Sequence, residues 1–213
     1  MVYLWTATLA VGVTLEALLV ASLLRGAYRR FRVLFVYCLI LLLTTSVEAS
    51  AFYNPAIYNR TTLYYWVIDA ARQALLFLLV ISLVYQAMGA SERRDSFRRA
   101  LVLGALACVL VSLFVTREQR IGIWMTQLSR DLGFIAVILN LILWAVLLKS
   151  GSPDRTLLMV SGGMGIQMAG KAIGHSLRYL SRATIFAGDL LIVVTHLLCL
   201  YVWWQAFRRY RAA

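Results

Sequence analysis

The chain has 213 residues, 62% hydrophobic and 14% charged, with a formal net charge of +12 and a mean hydropathy of +0.80. Those proportions exclude an ordinary soluble domain. The basic excess does not point to nucleic acid either, because it gathers at the ends of apolar runs, where cations set membrane orientation and meet anionic lipid.

The pattern predicts an all-α protein: one transmembrane domain over residues 1–213, a polytopic seven-helix bundle. Its spans are about Val2–Leu24, Val33–Tyr53, Leu63–Met88, Ala100–Thr116, Trp124–Leu148, Thr156–Leu180 and Ala183–Ala206. Most reach the roughly 20 residues that cross a ~30 Å hydrocarbon core.

In chain order, the first span carries Glu16 and the second Glu48. The third places Asp69, Arg72 and Gln73 at i, i+3 and i+4, one helical face, with Tyr65 a turn above. The fourth is the shortest. The fifth holds Gln127, Arg130 and Asp131, with Asn140 deeper. The sixth spaces Gln167, Lys171 and His175 by four, continuing to Arg178. It is also glycine-rich, with Gly162, Gly163, Gly165, Gly170 and Gly174, which predicts tight helix packing. The seventh repeats Asp189, His196 and Trp203 every seven residues.

Orientation follows from the connections. Arg25, Arg29, Arg30, Arg32, Arg93, Arg94, Arg98, Arg99, Lys149, Arg155, Arg208, Arg209 and Arg211 fall on one side. Arg60, Arg117, Arg120, Arg178 and Arg182 fall on the other. The positive-inside rule puts the N-terminus outside and the C-terminus in the cytoplasm, here of a bacterial inner membrane. The N-terminus lacks a basic n-region, so the first span reads as retained.

A charge inside a span costs several kcal/mol unless paired or hydrated, and so marks a site. Counted from the outer ends at 1.5 Å per residue, His175, Glu48, Asp69 and Asp189 lie roughly 7–9 Å deep. Arg130 and Asp131 lie roughly 9–11 Å deep, and Arg72 and Lys171 about 13 Å. With Gln73 and Gln127 they form a polar slab in the outer half of the membrane. Glu16 is expected apart, nearer the inner side, where Asn140 and His196 complete a candidate relay.

Two readings of the slab stay open. One is a filled ion-pair lattice that fixes helix register. The other is an outward-facing polar site that takes a small ligand, which makes the chain a ligand-binding or sensory module. The short loops carry no output domain, so a sensor would signal through a protein partner. A structural subunit of a membrane complex and a proton- or ion-coupled solute transporter are the alternatives.

No cofactor is expected. A retinal pigment requires a lysine in the last span, and Ala183–Ala206 has none. Haem ligation by His175 and His196 is disfavoured because antiparallel helices set them about 12 Å apart in depth. Cys38, Cys108 and Cys199 show neither disulfide nor zinc spacing, so no metal is expected. Asp69 and Asp189 share a depth, and His175 lies near Asp189, yet no GxSxG or HExxH pattern supports an enzyme.

Tyr64-Tyr65-Trp66 followed by Asp69, Gln127 with Arg130, and the glycine-rich sixth span ending near Arg178 give the chain a likeness over most of its length. On these residues it resembles a group of uncharacterised bacterial seven-helix integral membrane proteins of about this length. The resemblance implies the helix count and brings no activity with it.

Overall fold

The computed structural model describes residues 2–53, 62–87, 99, 103, 121–149 and 154–208, with side chains left out at 2–5, 51–67, 69–70, 73, 121–132, 146, 149, 179 and 182. The described residues are all-α. Six helices follow one another: α1 (Val2–Leu24), α2 (Arg32–Tyr53), α3 (Thr62–Ala87), α4 (Ile121–Lys149), α5 (Arg155–Leu180) and α6 (Ile185–Arg208). The fourth sequence span, 100–116, lies outside the described residues apart from Leu103.

Local chemistry sets the ends. Gly26 takes φ 130°, a value that strains any side chain, and so turns the chain out of α1 into a short 3-10 turn at Ala27–Arg29. Asp154 caps α5 by accepting from the backbone N–H of Thr156 at 2.9 Å and of Leu157 at 3.4 Å. Its other carboxylate oxygen pairs with Arg30 at the foot of α2. Between α5 and α6, Ser181 accepts from the N–H of Ala183, and Thr184 donates back to the Leu177 carbonyl at 2.6 Å. That turn makes α5 and α6 an antiparallel hairpin.

Helices adjacent in chain order pack on one another, and α6 packs back on α1, which closes the six into a ring. The α5–α6 contact is the most extensive, and glycines explain it. A Cβ on Gly170 would fall 2.0 Å from the Thr195 hydroxyl, and one on Gly174 2.8 Å from the Gly188 carbonyl. The two backbones approach as closely as small residues permit.

The apolar core sits at one end of the ring. It draws Leu19 and Leu23 from α1, Leu34 and Leu41 from α2, and Leu79 and Leu83 from α3. Leu143 and Leu147 of α4, Val160 and Met164 of α5 and Leu200 and Trp203 of α6 complete it. Thus α3 and α4 both contribute their C-terminal halves, and the two run in the same direction.

The outer surface is apolar as well. Leu18, Leu43, Leu78, Ile138, Ile173 and Leu198 are all exposed, a girdle that water would not tolerate. Inside, Glu16, Asn140, Ser161 and Gln167 are buried. Among the described residues, three helices contain stretches long and apolar enough to cross a bilayer: Thr6–Leu24, Arg32–Ser50 and Ile185–Arg208. Apolar outside with polar groups within is the arrangement of an integral membrane protein.

Candidate functional site

Just above the apolar core, side chains from five helices meet in one polar chain. Arg72 of α3 is its upper anchor. The guanidinium Nη1 lies 2.9 Å and 3.2 Å from the two oxygens of Glu48. Its Nε donates to the Thr44 hydroxyl at 2.8 Å, and Nη2 reaches both Thr44 and, at 3.4 Å, Thr45. Thr44 and Thr45 lie four and three residues before Glu48 on α2, so the three share a face that the guanidinium fork can span. Thr44 in turn donates to the Ile40 carbonyl, which holds the hydroxyl lone pairs toward Arg72.

Thr45 carries the chain downward by donating to Glu16 Oε1 at 3.1 Å. Glu16 is 1% exposed, and its Oε2 has no hydrogen-bond partner among the described residues. His196 of α6 stands on the far side, its Nε2 3.7 Å from the same Oε1. No Lys or Arg lies within ion-pair distance of Glu16 among the described residues. The other imidazole nitrogen, Nδ1, lies 3.0 Å from Gln167 Nε2, which also approaches the Tyr37 hydroxyl at 3.5 Å.

An amide N–H₂ facing Nδ1 makes that nitrogen the acceptor, so the neutral imidazole carries its proton on Nε2, toward Glu16. Gln167 thereby positions His196. Tyr37 packs edge-on to Trp203 at 5.9 Å, and the Trp203 indole donates to the Val160 carbonyl at 2.7 Å. These contacts seal the bottom of the chain against the core.

The sequence expected Glu16 to stand alone. The structure joins it to the slab, because an arginine side chain extends well beyond its own Cα level and Thr45 bridges what remains. His196 stands beside Glu16, 3.7 Å from its Oε1. Asn140 is buried at the α4–α5 contact, where its amide occupies the space that a side chain at Gly165 would need. Its Oδ1 has no partner among the described residues.

Asp189 goes elsewhere. It accepts from Arg178 Nε at 2.5 Å near the outer turn of the α5–α6 hairpin, a half-exposed pair separate from the chain. Lys171 and His175 are half-buried one turn apart on α5. The side chains of Asp69, Gln73, Gln127, Arg130 and Asp131 lie outside the described residues.

Sequence reasoning missed Tyr37, Thr44 and Thr45. The available signal was helical spacing: a threonine pair one turn from an intramembrane glutamate supplies hydroxyls on its face. Among the described residues no three His, Cys, Asp or Glu side chains converge as metal ligands would. Comparison with known proteins returns no family model, no curated protein and no solved structure that matches the chain.

Proposed function

We propose that the chain is a seven-helix protein of the bacterial inner membrane, N-terminus outside, that binds a small solute at a polar site in its outer half. The observation that carries this reading is the gradient along the polar chain. Its upper members, Arg72 and Glu48, keep 16% and 28% of their side-chain surface, whereas Glu16 keeps 1%. A solute arriving from the outer side meets charged groups first and a closed floor last.

Helix direction supports the count of seven. The described helices α3 and α4 run the same way, and the sequence places its fourth span between them. The basic residues at the core end support the orientation.

Thermal unfolding of the purified protein in lipid nanodiscs, against a panel of small charged and zwitterionic solutes, tests the reading. A binder raises the melting temperature of the wild type and not that of Arg72→Gln. A panel without effect, with polar substitutions that merely lower stability, would leave the ion-pair lattice in its place.

The continuous path from Glu48 to Tyr37 favours a second reading, a proton-coupled transporter. Reconstituted vesicles would then show a pH-driven solute flux that Glu16→Gln abolishes.

A further inference from the structure

The end of the bundle that holds the apolar core is ringed by exposed arginines: Arg25, Arg29, Arg30, Arg32, Arg155 and Arg208. Asp154 is the one acid among the described residues at that end, and it is committed to Arg30 and to the α5 cap. Excess charge alone would attract anionic lipid anywhere along this rim. Two of the arginines are held in a way that charge alone does not require. The Arg208 guanidinium lies over the Trp204 ring, 5.3 Å from its centroid. That of Arg29 lies 5.9 Å from the centroid of the Tyr28 ring and donates from Nε to the Tyr28 hydroxyl at 3.2 Å. A guanidinium backed by a ring keeps the N–H donors along its edge for a further partner. Neither arginine has a carboxylate partner among the described residues.

The fold brings both to one corner. Phe31 and Phe207 meet edge to face at 5.2 Å, so the turn that carries Arg29 packs on the last turn of α6, which carries Arg208. The two helices that end there, α1 and α6, lie side by side and run the same way. Glu16 stands opposite His196, and counting on from that pair at 1.5 Å per residue sets Arg25 and Arg208 within about one turn of the same level. Toward the middle of the bundle the exposed flanks of both helices are apolar, with Leu18 and Leu24 on α1 and Leu198 and Tyr201 on α6.

We infer that this corner binds the phosphate of one anionic phospholipid. Arg208 and Arg29 are its ring-backed donors, and Arg25 is a third cation. The two free oxygens of a phosphodiester match the guanidinium fork, and the acyl chains lie along the apolar flanks of α1 and α6. Tyr201 and Trp204, on the last turns of α6, stand where aromatic rings meet lipid headgroups. A free phosphate would use the arginines and leave the flanks uncovered, and so would an acidic peptide. The inference goes beyond solute binding and requires only that the bundle lie in a bilayer.

The test titrates the delipidated full chain in dodecyl maltoside with dioleoyl phosphatidylglycerol, read by thermal unfolding and by native mass spectrometry. We expect a saturable rise in melting temperature and one retained lipid per chain. Dioleoyl phosphatidylcholine, which has the same chains, and soluble glycerol phosphate should give neither. Two charge-conserving variants separate a formed site from diffuse attraction. Arg208→Lys keeps the charge and loses the fork, whereas Trp204→Leu changes no charge and removes the ring. Each should weaken phosphatidylglycerol binding about fivefold. Arg208 is exposed, so Arg208→Lys decides alone if Trp204→Leu fails to fold. Wild-type affinity in either variant that folds overturns the inference, as does an equal response to phosphatidylcholine or glycerol phosphate. So does the absence of any response to phosphatidylglycerol. A soluble polyglutamate that reproduces the rise would also overturn it, and would assign the corner to an acidic protein partner.

Discussion

Thr45 donates its hydroxyl hydrogen to Glu16 at 3.1 Å while its oxygen faces Arg72 at 3.4 Å. One hydroxyl thus couples a fully buried carboxylate on α1 to a guanidinium on α3. Valine has the same shape and no hydroxyl. Thr45→Val should leave Glu16 Oε1 without its donor and cost about 1–3 kcal/mol, seen as a lower melting temperature in detergent. Thr45→Ser should recover most of the loss.

Arg72 uses three nitrogens on three side chains, Thr44, Thr45 and Glu48. Lysine keeps the charge but presents one nitrogen. Arg72→Lys is therefore expected to destabilise by about 1–3 kcal/mol despite the unchanged charge, and Arg72→Ala by more than Arg72→Lys, because Glu48, Thr44 and Thr45 then lose both the donors and the charge. Equal melting temperatures for wild type and Arg72→Lys would show that the fork does not matter.

Glycines along the chain divide sharply. A Cβ at Gly174 meets the Gly188 backbone carbonyl at 2.8 Å, and backbone cannot rotate away. At Gly133 nothing lies within 4 Å. Gly174→Ala should cost about 1–3 kcal/mol by forcing α5 and α6 apart, whereas Gly133→Ala should be neutral or stabilise by up to about 1 kcal/mol. Unfolding of the two variants side by side provides the comparison, with the single-substituent chemistry held constant.

The Arg178–Asp189 pair keeps 40% and 25% of its side-chain surface. Exposed pairs contribute little, so Asp189→Asn should lower stability by at most about 1 kcal/mol. Its effect should be smaller than that of Thr45→Val, although Asp189 bears a formal charge and Thr45 does not. The reverse order, measured under one condition, would place the more important polar contact at the outer turn.

The helices were legible because apolar run length and helix length report the same thing. All six described helices begin and end within three residues of the apolar runs. Spacing by four puts Gln167, Lys171 and His175 on one face of α5, but the heptad from Asp189 to His196 gives no sign that the two side chains part, Asp189 to Arg178 and His196 to Gln167. Glu16 was harder. Its helix is apolar nearly all round, so no stripe fixes which way residue 16 faces, and depth counted along a helix says nothing of how far a neighbouring arginine reaches. Threonine and tyrosine are also common in spans for packing reasons, and their role emerges only once a carboxylate lies opposite. The Asp189–Arg178 pair depends on the hairpin geometry between Ser181 and Thr184, which a linear spacing rule does not contain.

The glycine seam of α5 and α6 has a mechanical consequence. Two helices pressed backbone to backbone, with Gly170 beneath Thr195 and Gly174 against Gly188, have no side-chain layer to shear. The neighbouring boundary, α1 against α6, is joined instead by Glu16 and His196 across 3.7 Å, a gap that can tighten or slacken with little steric cost. The first boundary can change only by moving backbone, the second by moving side chains.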